Sequence, residues 1–191
     1  MRKLTSFTFI TLNGFYKSLN EDTGWHHHLN SKAAADYAAN SSSSGNVLLF
    51  GRKTYDMMAG FWPSPQAAAA FPIVAENMNK AQKIVFSNNL QSPTWKNTTV
   101  ISGNIAEQVK QLKQTPGNDM TILGSGSIVS QFTDAGLIDE YHIMLDPVIL
   151  GHGTSIFSNI NTTRRLKLKS TRHFEQDGIL LLVYENLGIL R

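Results

Sequence analysis

Residues 47–54 read Val-Leu-Leu-Phe-Gly-Arg-Lys-Thr, an apolar run that ends at a glycine and continues into basic and hydroxyl side chains. Residues 120–127 repeat the arrangement as Met-Thr-Ile-Leu-Gly-Ser-Gly-Ser. A short apolar run that stops at glycine predicts a buried strand turning directly into a helix. The amino end of a helix carries free N–H groups and a partial positive charge, so it can hold a phosphate. Two such turns on one sheet indicate an extended ligand with phosphates, such as a dinucleotide.

Strands and helices alternate over the first two thirds of the chain. Runs of β-branched and aromatic residues predict strands at 3–10, 47–50, 83–87, 98–101 and 120–123. Apolar residues at helical spacing predict helices at 33–39, around 55–59, at 104–114 and from 128 to near 136. We expect Pro63 and Pro65 to end the second of these helices. The alternation predicts right-handed crossovers between largely parallel strands.

The last third of the chain changes character. It is strand-like at 138–150, 166–174 and 179–184, and Asp177-Gly178 predicts a hairpin turn between the last two strands. The predicted fold class is therefore α/β, a doubly wound and mostly parallel sheet with antiparallel C-terminal strands. With 191 residues, the chain is expected to form a single domain over residues 1–191.

The composition narrows the classes of function. The chain has no cysteine, which excludes disulfides and thiol chemistry and fits a reducing compartment. No stretch approaches the ~18 apolar residues that span a bilayer, so we expect a cytoplasmic protein with no membrane partner. The net charge is only +3. In the densest basic segment, 164–169, basic and apolar residues alternate, which is typical of a half-exposed strand. Because no recognition motif accompanies it, nucleic acid is not an expected partner.

Several further segments, taken with the two turns, resemble the dihydrofolate-reductase-like superfamily. The chain is most similar to stand-alone relatives of the reductase domain in bifunctional riboflavin-biosynthesis enzymes, over nearly its whole length. The segments are Thr-Leu-Asn-Gly-Phe at 11–15, Trp25, Leu-Phe-Gly-Arg-Lys-Thr-Tyr at 49–55, Val-Phe-Ser at 85–87, Leu-Gly-Ser-Gly-Ser at 123–127, Gly-Leu-Ile-Asp-Glu at 136–140 and Pro-Val-Ile-Leu-Gly-His-Gly at 147–153. The resemblance implies an NADPH-binding doubly wound sheet, usually in a homodimer.

The resemblance assigns cofactor phosphate to the first turn. Gly51 would let the backbone approach closely, and Thr54 would offer a hydroxyl. Arg52 or Lys53 would supply charge near the pyrophosphate or the ribose phosphate. The alternative is an ordinary strand-to-helix turn with solvated basic residues.

The second turn and one further strand end complete the expected cofactor site. The second turn would support the pyrophosphate beside the nicotinamide, and it consists of Gly124, Ser125, Gly126 and Ser127. Its glycines could instead serve only a tight turn and close packing. Ser87 and Asn88 would face the adenosine ribose phosphate, although Asn88 brings no charge, so preference for NADPH over NADH is left open. The alternative for Ser87 and Asn88 is a plain Asx turn.

Three consecutive histidines, at 26–28, invite a metal hypothesis. Consecutive side chains point in different directions, and no acidic residue stands at a zinc-motif spacing. We therefore predict no metal site. His28 is a candidate proton donor toward a substrate, because imidazole titrates near neutrality.

The position of the catalytic acid departs from the family pattern. Dihydrofolate reductases carry a carboxylate on the helix a few residues after the tryptophan, but Asn30 stands five residues after Trp25. Asp36 is the first carboxylate on that predicted helix and is the other catalytic candidate. Asn13 stands where the riboflavin-type relatives commonly have an aspartate. These departures argue against dihydrofolate as the substrate.

We predict an NADPH-dependent reductase that transfers a hydride to a C=N or C=O bond of a small pterin-, pyrimidine- or other heterocycle-like substrate. Asn13 and Trp25 would lie on the substrate side, although a large aromatic such as Trp25 could equally be a core residue. The alternative function is a non-catalytic nucleotide- or ligand-binding homodimer of the same fold, which the displaced acid favours.

Overall fold

The computed structural model describes residues 1–26, 37, 41 and 44–190. Its strands are β1 Leu4–Thr11, β2 Phe15–Ser18, β3 Val47–Gly51, β4 Lys83–Phe86, β5 Thr98–Ile101, β6 Met120–Leu123, β7 Glu140–Asp146, β8 Gly153–Ser155, β9 Arg164–Phe174 and β10 Ile179–Ile189. Its helices are a single 3-10 turn, Gly24–His26, and α1 Arg52–Phe61, α2 Pro65–Ala70, α3 Pro72–Lys80, α4 Ile105–Gln114 and α5 Gly126–Asp134.

Within the described residues, eight strands form one sheet in the order β5-β4-β3-β6-β1-β7-β10-β9. The strands from β5 to β7 pair in parallel, whereas β10 and β9 add in antiparallel. This confirms the predicted mostly parallel sheet with antiparallel C-terminal strands. Since parallel strands end at the same edge, the turns after β3 and β6 lie at one edge of the sheet.

Helices cover both faces of the sheet, as a doubly wound fold requires. On one face, the α4–α5 face, Val109 and Phe132 are fully buried against Leu4 of β1. On the opposite face, the α1 face, Tyr55 packs with Phe50 and Trp95. Burying a large apolar side chain contributes about 1.5–3 kcal/mol, so these two layers dominate the stability of the fold.

A second cluster on the α1 face covers the other half of the sheet. It is built on Met144, Phe174 and Leu181, with Phe9 packed against it. The register places Phe9 beside Met144 and Met144 beside Leu181, so these side chains form one row across β1, β7 and β10.

The region after α1 differs from the prediction, because prolines begin helices here as well as ending one. Pro65 is the first residue of α2, and the Ser64 hydroxyl accepts a hydrogen bond from the Ala67 N–H. Pro72 is likewise the first residue of α3, although the preceding Phe71 provides no side-chain cap. Proline suits the first helical turn because its missing N–H has no partner there. The sequence therefore predicted the end of α1 correctly but missed α2 and α3.

The small ribbon formed by β2 and β8 was also not predicted. The strand expected at 138–150 is shorter in the structure and ends at Asp146, before Pro147. The hairpin turn at Asp177-Gly178 is confirmed, with Gly178 in the left-handed region at φ 66°. The helix predicted at 33–39 lies outside the described residues, of which only Tyr37 falls within it.

The edge strand β9 exposes basic side chains. Lys167 and Lys169 on the edge strand β9 are exposed, as their alternation with apolar residues predicts. Across the described ranges, no helix combines the length and the apolar character needed to cross a lipid bilayer.

Candidate functional site

The two glycine turns contact each other directly. The Gly51 N–H donates a hydrogen bond of 3.0 Å to the Ser125 hydroxyl. A Cβ atom at Gly51 would lie 3.2 Å from the Cγ1 atom of Ile128, and one at Gly124 would lie 3.8 Å from the Cγ2 atom of Thr54. The close approach at Gly51 explains why glycine stands there. The two turns are therefore adjacent, and their binding of one ligand stays a prediction.

Both helices that leave these turns begin without a side-chain cap. Gly51 is the N-cap of α1 and has no side chain to donate or accept. Ser125 is the N-cap of α5 in a left-handed conformation, and its hydroxyl bonds to Gly51 and to the Leu123 carbonyl instead of to the helix. The first N–H groups of a helix need an acceptor. Two adjacent uncapped helix starts fit the phosphates of a dinucleotide.

The basic residues of the first turn are exposed and already paired with carboxylates. Arg52 bonds to Asp56 one helical turn away. Lys53 reaches Glu21 at 2.7 Å, in the loop after β2, and Lys17 bonds to the same carboxylate. The hydrogen bonds from Lys53 and Lys17 hold the pKa of Glu21 at about 2. Glu21 is therefore a fixed negative charge beside the residue expected to bind phosphate.

Ser87 and Asn88 lie at the end of β4, at the same edge of the sheet. The Ser87 hydroxyl accepts hydrogen bonds from the N–H groups of Asn89 and Leu90. The Asn88 side chain accepts one from the Gly103 N–H. Both side chains thus stabilise the local turns, and their contact with a cofactor ribose stays a prediction.

A tyrosine covers the start of α5. Tyr16 of β2 lies against Gly126, so closely that a Cβ atom at Gly126 would be 2.3 Å from the Tyr16 ring. Next to this contact is a cleft of about 310 Å³, lined in part by Ser127, Ser130 and Ser155. Sequence reasoning missed Tyr16 because its contact depends on the ribbon of β2 and β8.

The expected substrate-side residues differ in environment. The Asn13 side chain joins two loops, since it donates to the Leu150 carbonyl at 2.7 Å and accepts from the Thr11 hydroxyl. Trp25 is 7% exposed, and its indole Nε1 is buried with no hydrogen-bond partner among the described residues. The catalytic candidates His28 and Asp36 lie outside the described residues.

A buried carboxyl at the end of β7 escaped the sequence reasoning. Asp146 is 1% exposed, and neither of its oxygens has a hydrogen-bond partner within residues 1–26, 37, 41 and 44–190. Burial raises its pKa from 3.8 to about 7. The available signal was a carboxylate that directly follows an apolar run and precedes Pro147. A protonated carboxyl of this kind can donate a proton near neutral pH.

A hydrogen-bonded chain of three side chains lies on the same face, nearer the beginning of β7. The Tyr37 hydroxyl is 3.1 Å from His142 Nδ1, and His142 Nε2 is 3.4 Å from Glu140. Burial lowers the pKa of His142. Lys169 and Lys3 bond to Glu140, whose pKa lies at about 2 despite partial burial. Glu140 is therefore ionised and His142 neutral near pH 7.

Comparison with known proteins establishes the family. Residues 2–180 match the RibD C-terminal domain. The chain belongs to this family. It is 28% identical to YyaP, an uncharacterized protein of Bacillus subtilis (strain 168), over 92% of this chain and 90% of YyaP. It is 25% identical to the uncharacterized YwjB of the same organism, over 92% of this chain and 94% of YwjB.

Solved structures share the fold of this RibD C-terminal domain. A candidate riboflavin biosynthesis protein from Shewanella sp. PV-4 is similar with a TM-score of 0.75 and 19% identity, over 96% of this chain and 98% of that one. The deaminase/5-amino-6-(5-phosphoribosylamino)uracil reductase of Thermotoga maritima has a TM-score of 0.64 and 16% sequence identity, over 97% of this chain and 56% of the enzyme. Enterococcus faecalis dihydrofolate reductase, solved with NADP(H), has a TM-score of 0.58 and 14% sequence identity, over 97% of this chain and 96% of that one. The fold is thus dihydrofolate-reductase-like, and its neighbours include reductases.

Proposed function

We propose that this chain is an NADPH-dependent reductase of a small pterin-, pyrimidine- or related heterocycle, acting as one domain over residues 1–191 in a cytoplasmic homodimer. The observation that carries the proposal is the direct contact between the two uncapped helix starts, from Gly51 to Ser125. Family membership supports a reductase, and the dihydrofolate reductase of the same fold was solved with NADP(H).

In this proposal, residues Gly51 to Thr54 and Gly124 to Ser127 hold the phosphates through their backbone N–H groups. Lys53 and Arg52 provide the positive charge, and Ser87 and Asn88 contact the adenosine ribose. A bound nicotinamide dinucleotide would supply a hydride to a C=N or C=O bond. The protein contributes orientation and the electrostatic environment of the site.

Replacing both basic residues of the first turn tests the cofactor site. We expect the Arg52→Ala/Lys53→Ala variant to bind NADPH roughly 10- to 100-fold more weakly, because charge-assisted hydrogen bonds to phosphate are lost. Isothermal titration calorimetry with NADPH, NADP⁺ and NADH in parallel measures the effect. The matched control is Lys80→Ala/Lys110→Ala, which removes the same charge from two other exposed helical ion pairs. Equal affinity in the two double variants would contradict the proposal.

The ion pair between Lys53 and Glu21 leads to a second prediction, in which NADPH affinity increases instead of decreasing. We expect Glu21→Gln to bind NADPH a few-fold more tightly at low ionic strength, since Lys53 is released from its carboxylate. The pKa of Glu21 is about 2, so the gain should not vary between pH 5 and 8. Calorimetry at low and high salt checks this, because salt screens exposed charges. Glu76→Gln, in a comparable exposed pair, is the control. Weaker binding by Glu21→Gln would show that Glu21 assists the site.

A second candidate function is a non-catalytic ligand-binding homodimer. It is favoured by Asn13 and Asn30, which are uncharged where related reductases carry carboxylates. NADPH oxidation in the presence of 7,8-dihydrofolate and 5-amino-6-(5-phosphoribosylamino)uracil separates the two. Turnover of either compound excludes this alternative, whereas tight cofactor binding without turnover of any heterocycle in a wider panel supports it.

A further inference from the structure

The ends of β1 and β7 bring Thr11 and Asp146 side by side. The two strands are parallel, and the register pairs Thr11 with Asp146 and Phe9 with Met144. Paired residues on neighbouring strands point to the same face. Asp146 therefore lies on the α1 face, at the same edge of the sheet as the two glycine turns.

Among the described residues, the neighbours of Asp146 leave its carboxyl without a hydrogen-bond partner. The Thr11 hydroxyl is occupied, since it donates to Asn13 and accepts from the Phe15 N–H. On the same face, Phe9 stacks on the His26 ring at 4.8 Å, and the Trp25 ring contacts His26 edge-on. The buried indole Nε1 of Trp25 also lacks a partner within the described ranges. Asp146 and Trp25 thus each carry a buried polar group that has no partner in the described part of the chain.

Charged and titratable groups come from each element packed on this face. His26 lies on the 3-10 turn, His142 on β7, Arg172 on β9 and Asp177 in the turn between β9 and β10. Arg172 stacks on the Phe174 ring. Within the described part of the chain, none of these four donates a hydrogen bond to Asp146. Its carboxyl is therefore governed by burial rather than by a counter-ion.

Only β1 separates β7, which carries Asp146, from β6, which leads into the second glycine turn. The Gly124 N–H bonds to the Phe7 carbonyl, so the second turn sits directly beside β1. Strands lie about 4.8 Å apart, which puts β6 and β7 roughly 10 Å apart with β1 between them. A substrate bound beside the second turn would therefore lie within about two strand spacings of Asp146.

We propose that Asp146 is the proton donor of the reduction proposed above, on which this inference rests. The hydride forms the new C–H bond at the substrate carbon, and the nicotinamide is left oxidised. The π electrons of the C=N or C=O bond take the proton from the Asp146 Oδ–H, directly or through one water. The Asp146 carboxylate then regains a proton from solvent. The proposed acid thus lies on a strand of the sheet, at the end of β7.

Burial prepares Asp146 for this role. A carboxyl that keeps its proton up to about pH 7 is a good acid at neutral pH. A nicotinamide that becomes positively charged on oxidation would stabilise the carboxylate left behind. This coupling gives a test that needs no substrate.

The first experiment measures proton release on cofactor binding, by calorimetry at pH 7 in buffers of different ionisation enthalpy. We expect wild-type protein to release a fraction of a proton on binding NADP⁺ and almost none on binding NADPH. Asp146→Asn should bind both with affinities within about twofold of wild type and release no proton. Release that persists in Asp146→Asn overturns the inference. If wild-type protein binds neither dinucleotide, the proposed function itself fails.

The second experiment measures single-turnover NADPH oxidation with 5-amino-6-(5-phosphoribosylamino)uracil and 7,8-dihydrofolate. We expect Asp146→Asn to slow the step about 10²- to 10⁴-fold and to lose its pH dependence near 7. Asp146→Glu should recover part of the rate. Tyr37→Phe, which breaks the neighbouring Tyr37–His142 hydrogen bond, should keep the wild-type pH profile. If the pH profile changes in Tyr37→Phe and not in Asp146→Asn, Asp146 is not the proton donor. If neither compound is reduced, the inference stands or falls on whether the proton release of the first experiment is lost in Asp146→Asn.

Discussion

Asp146→Asn should make the protein more stable at pH 8, by up to about 4 kcal/mol. In the unfolded chain the Asp146 carboxyl ionises near its ordinary pKa of 3.8, but in the folded protein it stays protonated up to about pH 7. As pH rises from about 4 to 7, the unfolded state alone loses this proton, so wild-type stability falls. Above pH 7 the penalty is constant, and below pH 4 it vanishes. The amide has no charge and carries no such penalty.

Urea unfolding of both proteins between pH 4 and 9 measures this difference. The other titrating groups are common to both proteins and cancel. Asp134→Asn is an internal control of opposite sign, because hydrogen bonds from Asn161 and Thr162 lower the Asp134 pKa. That variant should lose stability at pH 7, and its difference from wild type should shrink as pH falls. If the Asp146→Asn curve runs parallel to wild type at every pH, the Asp146 carboxyl is not buried as described.

Gly153→Ala should destabilise the protein by about 1–3 kcal/mol and weaken NADPH binding. A Cβ atom at residue 153 would lie 2.6 Å from the Lys17 carbonyl oxygen and 2.9 Å from the Phe15 ring. The first of these is backbone, so the ribbon of β2 and β8 must separate. The same ribbon holds Tyr16 against Gly126 at the start of α5, so its separation disturbs the cofactor turn.

Gly151→Ala is the matched control for this prediction. It lies two residues away, and its Cβ atom would meet no heavy atom within 4 Å. Its stability should stay within about 0.5 kcal/mol of wild type. Urea unfolding and NADPH titration of the two variants side by side test the contact. Equal stability of the two variants would mean that β2 and β8 are not packed as described.

Local patterns predicted most of the fold because they reflect local physics. The apolar runs at 47–50 and 120–123 became β3 and β6, and the glycines after them became the turns that meet at Ser125. Helix α4 follows its periodicity, and Asn104 caps it through the Glu107 N–H. The short helices α2 and α3 were not predicted, because a proline in a sequence can mark either the end or the start of a helix.

The candidate site could be predicted only in part. Its cofactor side follows from glycines and basic residues within a few positions of a strand end, so the sequence indicated it. For the acid, the sequence predicts His28 and Asp36, which lie outside the described residues, whereas we propose Asp146 from its burial in the structure. Asp146 lies on β7, and although it follows an apolar run and precedes Pro147, its own segment does not reveal that the carboxyl is buried.

The sequence by itself determined the strands of the large sheet, three of the five described α-helices and the two glycine turns, since backbone preference and apolar periodicity act between near neighbours. The tertiary structure alone decided that Asp146 stands beside Thr11, that Tyr16 rests on Gly126 and that Lys53 pairs with Glu21. These contacts join segments far apart in the chain. Burial and the resulting pKa of a side chain are properties of all the atoms around it, and those atoms are assembled only when the sheet forms.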